Sequence, residues 1–427
     1  MNNLNVLLLG SGGREHAIAW KLSQSPRLNH LFVAPGNPGT AKVADNIALN
    51  PLDFEAVANF VSQQSIDMVV VGPEEPLVRG ISDFLRNTPS TKHVMVIGPQ
   101  QQAATLEGSK NFAKEFMQRH NIPTAKYRTF DASEVAQAKE FMLELKPPFV
   151  LKADGLAAGK GVIIEPDYHK ACQALNTLFA GQFGDASQKV VIEEFMTGIE
   201  LSVFVLTDGE SYLILPEAKD YKRIGDGDTG ANTGGMGAVS PVPFANQQFM
   251  QRVEERIVRP TIDGLRADGI PYNGFIFIGL MNVDGNPFVV EYNVRMGDPE
   301  TEVVMPRIKS DLLPLLECCA QGQLKGSTLE THKEIATTVI VVSDGYPGSY
   351  PKGIPITHCP NNTDQTIAFH AGTSVSNDQL VTAGGRVMAC TALAPTLDKA
   401  LAMSYDIAQS IQYQGKFYRR DIGLDLK

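Results

Sequence analysis

The chain has 427 residues and a formal net charge of −10. This length exceeds what a single apolar core usually serves, so we expect about two to four domains. The acidic balance argues against a nucleic-acid-binding surface. No apolar run approaches the ~20 residues of a membrane-spanning helix, and the five cysteines form no Cys-x-x-Cys pair. We therefore expect a soluble protein of the reducing cytoplasm, with neither a nucleic acid nor a membrane as partner.

Short apolar strands and helices alternate over residues 1 to about 105. We predict strands at residues 6–9, 31–34, 68–71 and 94–98, with helices at about 13–24 and 53–62. This order predicts a parallel sheet whose ligands bind beyond the carboxyl ends of the strands. Three loops lie at such ends: Gly10-Ser-Gly-Gly-Arg-Glu-His, Gly36-Asn-Pro-Gly and Gly72-Pro-Glu-Glu-Pro.

The first loop half matches the Gly-x-Gly-x-x-Gly pattern of dinucleotide-binding folds. Gly10 and Gly12 fit that pattern, but Glu15 stands in place of the third glycine. A dehydrogenase is therefore disfavoured, and anion binding at the helix N-terminus near Arg14 is the better interpretation. A tight turn that simply requires glycine is the alternative.

The stretch at residues 151–162 combines an apolar strand end, three glycines and two lysines. Lys152 ends the first strand, Lys160 lies between Gly159 and Gly161, and a second strand starts at Val162. Glycines allow backbone N–H groups to approach a phosphate, and the ammonium groups supply the countercharge. The spacing is not that of a Walker loop. The pattern favours phosphate binding over an ordinary exposed hairpin.

Residues 219–238 are rich in glycine and charge and poor in side chains that form a core. Such a segment is either a disordered linker or a substrate-binding loop. Its mixed charges and turn glycines favour the substrate loop.

Residues 275–294 have the pattern of a β-hairpin with its turn at Asp284-Gly285-Asn286. Glu291 and Asn293 are two apart on the second strand, so both side chains face one side, and Arg295 extends that face. A carboxylate and an amide oxygen suit Mg²⁺, which prefers oxygen ligands. A solvated strand face is the alternative.

The last region, from about residue 331 to 427, holds no convincing catalytic cluster. We predict strands at residues 335–342, 370–372 and 386–391 and a helix at about 397–412. The turns between them favour a mostly antiparallel domain that completes the site or a dimer interface.

Motifs spread over nearly the whole chain give it a family resemblance. They are Gly-Gly-Arg-Glu-His-Ala at 12–17, Ala-Pro-Gly-Asn-Pro-Gly-Thr at 34–40, Gly-Pro-Glu-Glu-Pro-Leu at 72–77, Leu-Glu-Gly-Ser-Lys at 106–110, the loop at 152–162, Asp-Tyr-Lys-Arg at 220–223, Asn-Thr-Gly-Gly-Met-Gly-Ala at 232–238 and Arg-Met-Gly-Asp-Pro-Glu-Thr at 295–301. In this order they resemble the ATP-grasp superfamily and, within it, the phosphoribosylamine–glycine ligase family of purine biosynthesis.

The resemblance implies a multidomain fold of the α/β and α+β classes. Its parts would be a parallel-sheet N-terminal domain at residues 1–105, a two-lobed ATP-grasp core at 106–330 with its flap-bearing lobe at about 124–190, and a mostly antiparallel C-terminal domain at 331–427. The implied cofactors are ATP and Mg²⁺ or Mn²⁺. The implied substrates are glycine and 5-phosphoribosylamine, joined through glycyl phosphate with release of ADP and phosphate. We expect a monomer or a weak homodimer.

The resemblance also implies roles for residues in the nucleotide half of the site. They are Lys110 and Lys152 for the ATP phosphates; Gly159, Lys160 and Gly161 for the flap; Glu193 and Phe195 for the hinge at adenine; Glu200 for the ribose; and Glu291 with Asn293 for the metal. The strand before Glu291 carries no further carboxylate, so a third protein ligand to the metal is not expected.

A second set of residues is expected on the substrate side. It comprises Gly12, Gly13 and Asn37 in the first loops, Glu74 or Glu75 at the ribose hydroxyls, Asp220, Lys222 and Gly235 in the glycine-rich segment, and Arg295. Arg295 would steady the charge on the transferring phosphoryl group or on the glycine carboxylate, and Lys152 is expected to take part in catalysis with it. Two rival functions stay open: an ATP-grasp ligase that activates a different carboxylate, such as formate or bicarbonate, and a nucleotide sensor without turnover. No role follows for Tyr221, where the family often carries a histidine.

Overall fold

The computed structural model of the protein describes residues 3–156 and 161–427. Its first part contains β1 (Leu4–Gly10), α1 (Gly13–Leu22), β2 (Leu28–Pro35), β3 (Asp45–Asn46), α2 (Phe54–Gln63), β4 (Met68–Val71), α3 (Glu74–Val78), α4 (Ile81–Asn87), β5 (Met95–Ile97), α5 (Gln101–Gly108) and α6 (Lys110–Arg119). The sheet has the order β3-β2-β1-β4-β5, and every strand pair is parallel. The predicted parallel sheet is confirmed.

Strand β1 is apolar along its length because both of its faces are covered. Val6 and Leu8 enter one apolar cluster, whereas Leu7 and Leu9 enter another. Continuous apolar strands of this kind are typical of parallel sheets with elements packed on both sides. The loops that follow β1, β2 and β4 therefore gather at one edge of a rigid sheet.

A small lobe with its own apolar core follows. It contains β6 (Tyr127–Asp131), α7 (Val135–Leu143), β7 (Phe149–Ala153), β8 (Val162–Glu165), α8 (Tyr168–Phe179) and β9 (Lys189–Glu193). Its antiparallel sheet has the order β6-β9-β7-β8. The two strands predicted on either side of the glycine loop are β7 and β8, which pair as a hairpin.

The next elements build the second sheet of the core. They are β10 (Ile199–Thr207), β11 (Tyr212–Ile214), β12 (Lys219–Asp220), β13 (Arg223–Gly225), β14 (Thr229–Asn232), β15 (Gly237–Ser240), α9 (Gln247–Val253), α10 (Arg259–Ala267), β16 (Gly274–Val283) and β17 (Asn286–Asn293), with a π-helical stretch at Glu254–Val258. The sheet order is β11-β10-β16-β17, and all pairs are antiparallel. The predicted hairpin is confirmed as β16–β17, and both turn residues, Asp284 and Gly285, have positive φ.

The glycine-rich segment is ordered rather than a linker. Strands β13 and β14 form a hairpin, while β12 and β15 join the edge of the C-terminal sheet. The buried guanidinium of Arg419 fixes this hairpin, since it lies 2.7 Å from Asp228 Oδ1 and donates to the carbonyl oxygen of Arg223 at 3.1 Å. A residue close to the end of the chain thus shapes a loop near its middle.

The last part of the chain contains α11 (Thr301–Arg307), α12 (Leu312–Ala320), β18 (Ile335–Val342), β19 (Thr366–His370), β20 (Thr373–Ser376), β21 (Gln379–Thr382), β22 (Arg386–Ala394) and α13 (Leu397–Ser410). The predicted antiparallel sheet is confirmed, with the order β12-β15-β18-β22-β19. The strand predicted at residues 370–372 is wrong in position, because β19 ends at His370. The chain then turns at Gly372, where a Cβ would lie 2.5 Å from the Cα of Gly384.

The cysteines carry no cross-link. All five are free thiols, and burial raises the pKa of Cys319 to about 12. A buried thiol of this kind is inert. No helix among the described residues is long and apolar enough to cross a membrane.

Two buried histidines join the N-terminal helix α1 to the C-terminal strand β19. The backbone N–H of His370 donates to Nδ1 of His16 at 2.8 Å, and the two rings lie 5.7 Å apart. Burial lowers the pKa of His16 to about 3 and that of His370 to about 4. Both imidazoles are therefore neutral at pH 7.

We expect the stability of the protein to fall as the pH drops below about 6.5, the ordinary pKa of histidine. There the unfolded chain takes up protons that the buried imidazoles of the folded protein do not, which favours unfolding. His16→Gln removes one of these groups, and its amide oxygen can still accept the N–H of His370. The thermal midpoint of this variant should drop less between pH 7 and pH 5 than that of the wild-type protein.

His93 supplies the control, since its side chain is exposed at the surface and not part of the buried pair. His93→Gln should leave the pH dependence of the midpoint unchanged. Equal drops in the wild-type protein and the His16→Gln variant would contradict a neutral buried pair.

Candidate active site

The end of β17 presents three polar side chains on one face. Glu291, Asn293 and Arg295 are half-buried, whereas the residues between them are buried in an apolar cluster. This alternation is that of extended backbone, and it confirms the predicted common face. The residue opposite Glu291 on β16 is Gly279, so no side chain at that position covers the carboxylate.

The charges of four cationic side chains act on the carboxylate of Glu291. They are Lys222, Lys152, Lys110 and Arg295. Burial alone would raise the pKa of Glu291, but these charges outweigh it and hold the pKa below its usual range. The ionised carboxylate and the amide oxygen of Asn293 are ligands that suit Mg²⁺. In the stretches 3–156 and 161–427, no group of three or more acids, histidines or cysteines has a metal-binding arrangement.

Lys110 begins α6 and contacts the segment that follows β7. Its Nζ donates to the carbonyl oxygen of Gly155 at 3.0 Å, and in the described part of the chain no carboxylate lies within ion-pair distance of it. Asp154 fixes the start of α6 beside it, because its Oδ1 accepts from Ser109 Oγ at 2.9 Å and from the backbone N–H of Asn111 at 3.0 Å. Burial lowers the pKa of Lys110. An anionic ligand would supply the charge that this ammonium lacks.

Glu193, at the end of β9, is held between two lysines. Its carboxylate oxygens lie 2.9 Å from Nζ of Lys152 and 3.1 Å from Nζ of Lys114. Burial would raise the pKa of Glu193, but the two charges outweigh it and lower the pKa. The side chain thus ties β9 to β7 and α6. Adenine binding at this hinge stays a prediction, and it would fall to the backbone that follows.

A small cavity lies beside Glu291 between β10, β16 and β17. Its lining includes Glu200, Ser202, Lys222 and Glu291. Nζ of Lys222 lies 2.8 Å from Oε2 of Glu200, and the charge of this lysine lowers the pKa of Glu200. Burial raises the pKa of the neighbouring Asp220. The structure therefore brings the predicted ribose acid and two predicted substrate residues close to Glu291, one of the two predicted metal ligands.

The flap is described only in part. Gly159 and Lys160 lie outside the described residues. The carbonyl oxygen of Gly161 accepts the N–H of Ala153 at 2.9 Å and extends the β7–β8 pairing. Phe195 follows β9 with 41% of its surface exposed, so its ring is accessible to a ligand at the hinge.

Glu15 occupies the N-terminus of α1, where the sequence predicted a bound anion. Its Oε2 accepts the backbone N–H of Gly12 at 2.6 Å, and its Oε1 pairs with Nε of Arg14 at 2.6 Å. A Cβ on Gly10 or Gly72 would lie 2.4 Å from an atom of the Glu15 side chain. The chain's own carboxylate therefore fills this helix N-terminus, in the position of the third glycine of a dinucleotide loop.

Asn37 and Gly13 hold the first loops against the C-terminal part of the chain. Nδ2 of Asn37 donates to the carbonyl oxygens of Ser11 at 2.8 Å and His370 at 2.9 Å. A Cβ on Gly13 would lie 2.3 Å from Oε1 of Glu302. Substrate contacts of these two residues stay predictions, and the amide of Asn37 is already engaged within the chain.

The two glutamates after β4 face different surroundings. Oε2 of Glu74 lies 3.2 Å from Nε of Arg295 and 4.0 Å from Nη1 of Arg14. Burial would raise the pKa of Glu74, but these two charges outweigh it and lower the pKa. Glu75 instead pairs with Arg79 at 2.6 Å on the exposed side of α3. Glu74 is therefore the acid that faces the site.

The glycine-rich segment packs on the loop that follows Arg295. Gly235 has a φ of +114°, and a Cβ there would lie 2.3 Å from Cδ of Pro299. Both the backbone conformation and the close approach require glycine. The buried Tyr221 donates its hydroxyl to Asp425 Oδ1 at 2.5 Å, so it anchors the C-terminal segment.

Sequence reasoning missed three charged side chains at the site: Glu107, Lys114 and Arg386. Lys114 follows Lys110 by one helical turn, so the shared helix face could have indicated it. Glu107 lies inside the motif at residues 106–110 but was given no role. Arg386 donates to the carbonyl oxygens of Gly234 at 2.5 Å and Asp298 at 2.9 Å. No local pattern predicts these contacts because they join residues far apart in the chain.

The fold is shared with nucleotide-binding carboxylases. The biotin carboxylase domain of the Hydrogenobacter thermophilus 2-oxoglutarate carboxylase, solved with MgADP and bicarbonate, gives a TM-score of 0.74 at 17% identity and covers 98% of this chain and 92% of that chain. The model of the phosphoribosylglycinamide synthetase ATP-grasp (A) domain matches residues 108–301. The fold and the cationic, oxygen-rich site therefore define an ATP-grasp protein.

Similarity over the full length narrows this class. The models of the phosphoribosylglycinamide synthetase N and C domains match residues 4–107 and 336–425. A phosphoribosylamine–glycine ligase of Rhizobium meliloti is 47% identical over 420 residues and 98% of both chains. The crystal structure of the Thermotoga maritima enzyme of that name has a TM-score of 0.85 at 34% identity, covering 98% of this chain and 100% of that chain. The chain belongs to the phosphoribosylglycinamide synthetase family, and its full-length relatives are named as ATP-dependent ligases of this type.

We expect Glu291→Gln and Asn293→Ala to fold normally and to lose most turnover. Glu291→Gln removes the negative charge and one oxygen of the carboxylate, and Asn293→Ala removes the amide oxygen, so each change would weaken the hold on a metal ion. Calorimetric titration with MgADP measures the binding of the metal–nucleotide complex, and an ADP-release assay measures turnover. Added Mg²⁺ should partly restore the turnover of Asn293→Ala.

Asn286→Ala at the exposed start of the same strand is the control and should match the wild-type protein. Wild-type turnover of both site variants at ordinary Mg²⁺ concentrations would rule out this pair as metal ligands.

Proposed function

We propose that the protein ligates glycine to 5-phosphoribosylamine through glycyl phosphate, giving glycinamide ribonucleotide, ADP and phosphate. The observation that supports this most is the convergence of four cations on the ionised carboxylate of Glu291. A free carboxylate is a poor acyl donor because amide formation would have to expel oxide. Phosphorylation by ATP converts glycine into an acyl phosphate, from which phosphate departs when the amine attacks.

The nucleotide half of the proposed site uses the lysines that face Glu291. Lys110 and Lys152 would hold the ATP phosphates, and Lys110 would gain the anion that it lacks. A bound Mg²⁺, with Mn²⁺ as the alternative, would neutralise charge on the phosphates. Glu291 and Asn293 would hold that metal, as their oxygen donors and the MgADP of the Hydrogenobacter thermophilus domain support. The remaining proposed contacts are Glu200 at the ribose, Glu193 and Phe195 at the adenine hinge, and Gly159, Lys160 and Gly161 in the flap.

Arg295 is the proposed catalytic cation. Its Nη2 donates to Oδ1 of Asn293 at 3.1 Å, so the guanidinium lies beside the proposed metal ligand. Fixed positive charge at the transferring phosphoryl group lowers the barrier because it needs no reorganisation during the reaction. Arg295 and Lys152 would therefore stabilise the negative charge that develops on the transferring phosphoryl group.

Phosphoribosylamine would bind at the carboxyl ends of the N-terminal strands. Glu74 is the proposed partner of its ribose hydroxyls, since it faces Arg295 at 3.2 Å while Glu75 is turned to Arg79. Further proposed substrate contacts are Gly12, Gly13, Asn37, Asp220, Lys222 and Gly235. The amine would thereby approach the acyl phosphate from the side of Arg295.

The proposed division places domains at residues 1–105, 106–330 and 331–427, with the flap-bearing lobe at about 124–190. The separate apolar core of that lobe supports its division from the rest of the core. A monomer or weak homodimer in the cytoplasm is the proposed state of the protein.

Isotope transfer tests the intermediate. If a glycine carboxylate oxygen attacks the γ-phosphorus, that oxygen bridges carbon and phosphorus and leaves with phosphate when the amine attacks. Glycine labelled with ¹⁸O in both carboxylate oxygens should therefore yield phosphate that carries one labelled oxygen. Mass analysis of the phosphate after turnover with ATP, Mg²⁺ and phosphoribosylamine measures it.

Turnover with unlabelled glycine in ¹⁸O water is the control and should leave the phosphate unlabelled. Unlabelled phosphate from labelled glycine, formed together with the amide product, would rule out glycyl phosphate. Label in AMP would instead indicate adenylation.

The adjacent glutamates give a matched pair of variants. We expect Glu74→Ala to raise the KM for phosphoribosylamine by roughly tenfold or more, because a half-buried carboxylate that would bind the ribose hydroxyls is lost. Glu75→Ala should leave this KM unchanged, since its carboxylate pairs with Arg79 on the surface. Steady-state kinetics with varied phosphoribosylamine measures both, and an unchanged KM in Glu74→Ala would remove this residue from the substrate site.

A further inference from the structure

Arg295 is held by side chains from three separate parts of the chain. Its Nη2 lies 2.9 Å from Oε1 of Glu107 and 3.1 Å from Oδ1 of Asn293, and its Nε lies 3.2 Å from Oε2 of Glu74. Glu107 is in α5, Asn293 ends β17, and Glu74 begins α3. Acceptors at both Nε and Nη2 thus orient the guanidinium.

Glu107, the partner in α5, uses its second carboxylate oxygen for a further hydrogen bond next to Arg295. Oε2 of Glu107 accepts the backbone N–H of Val294 at 2.7 Å. Both carboxylate oxygens are therefore used by the two residues that directly follow Asn293. The side chain of Glu107 is only 6% exposed. Burial raises its pKa to about 7, and the charge of Arg295 acts in the opposite direction.

We infer that Glu107 is a positioning residue for the ligation reaction: it fixes the guanidinium of Arg295 and the backbone of Val294 together, and so sets the end of β17 on which Asn293 lies. The inference rests on the proposed function, because it needs Arg295 to act on the transferring phosphoryl group. Glu107 itself touches neither nucleotide nor substrate in this scheme, so its effect passes through Arg295.

The arrangement favours positioning over simple support of the fold. A buried carboxylate that only joined α5 to β17 could bind any backbone N–H of that strand. Here it binds the backbone N–H of Val294, the one residue between Asn293 and Arg295, and the side chain of Arg295 as well. A charge-assisted pair with this geometry holds a group in place far better than packing alone. Displacement of a reacting group by ~1 Å can cost a factor on the order of 10² in rate.

Glu107→Gln tests the inference, because the amide keeps the size of the side chain and removes the charge that orients Arg295. We expect kcat to fall by roughly tenfold or more while the KM values for ATP and glycine stay within about twofold. Glu107→Asp keeps the charge with a shorter reach, and its kcat should lie between those of the wild-type protein and the Gln variant. If Glu107→Gln does not fold, a reduced kcat of Glu107→Asp at unchanged KM carries the test.

Glu217→Gln is the matched control. Glu217 is a half-buried carboxylate that accepts the backbone N–H of Val242 at 3.2 Å, and burial raises its pKa as well. Its replacement should change thermal stability without changing kcat. If Glu107 only supported the fold, Glu107→Gln would likewise change the thermal stability and leave kcat unchanged.

A double-mutant cycle shows whether the effect passes through Arg295. In an Arg295→Lys background, Glu107→Gln should lower kcat much less than in the wild-type background, because the oriented fork is already lost. Equal factors in both backgrounds, or wild-type kcat in folded Glu107→Gln, would overturn the inference. Failure of the proposed function would be seen in a different measurement. In that case the wild-type protein itself would show no glycine-dependent ADP release with phosphoribosylamine.

Discussion

Mutual repulsion among the cations at the end of β17 is the constraint that shapes this site. Several ammonium and guanidinium groups face one ionised carboxylate, Glu291, in a half-buried space. Such charges are costly to bury unless each has a partner. The chain supplies acids for three of them: Glu193 for Lys152, Glu200 for Lys222, and Glu107 with Glu74 for Arg295. Lys110 alone has no carboxylate within ion-pair distance among the described residues.

These acids explain why the parts of the chain assemble around β17. Glu74 comes from α3, which follows a strand of the N-terminal sheet, Glu107 from α5, Glu193 from the small lobe and Glu200 from β10. The two ion pairs of Arg295 attach α3 and α5 to the end of β17, whereas Glu193 and Glu200 hold lysines whose charges act on Glu291. The apolar clusters supply most of the contact area between the elements, but hydrophobic contacts are not directional. The paired charges specify how the elements are oriented at the site.

Much of the fold was predictable because its strands have short apolar runs with clear ends. The bounds of β4 and β18 match the predicted ranges 68–71 and 335–342, and the hairpin β16–β17 follows from its turn residues. The common face of Glu291, Asn293 and Arg295 was also predictable, since it depends only on the two-residue period of a strand. The strand predicted at 370–372 was wrong because a close glycine–glycine contact, which is tertiary, ends β19 at His370.

The sequence did not predict which side chains pair with one another at the site. Glu193 was expected at an adenine hinge, and the structure shows its carboxylate between Lys152 and Lys114, which come from β7 and α6. Glu15 was recognised as a departure from a dinucleotide loop, but not as the anion at its own helix N-terminus. The role of Glu193 was set by distant elements, whereas the contacts of Glu15 with Gly12 and Arg14 are local and depend on the fold of one turn. Local pattern identifies which side chains are polar at a strand end, whereas the pairing of charges depends on the assembled fold.

The pairing also places the two halves of the site in direct mechanical contact. A single guanidinium, that of Arg295, bonds Asn293 on the nucleotide side and Glu74 on the side of the N-terminal sheet. Glu74 in turn lies 4.0 Å from Arg14, which pairs with Glu15, and Glu15 holds the backbone of Gly12. Because hydrogen bonds tolerate little change in length, a shift of Glu74 must be accompanied by a shift of the guanidinium or by loss of one of its bonds. The loop at the start of α1 and the end of β17 are therefore positioned as one unit, although they lie some 280 residues apart in the chain.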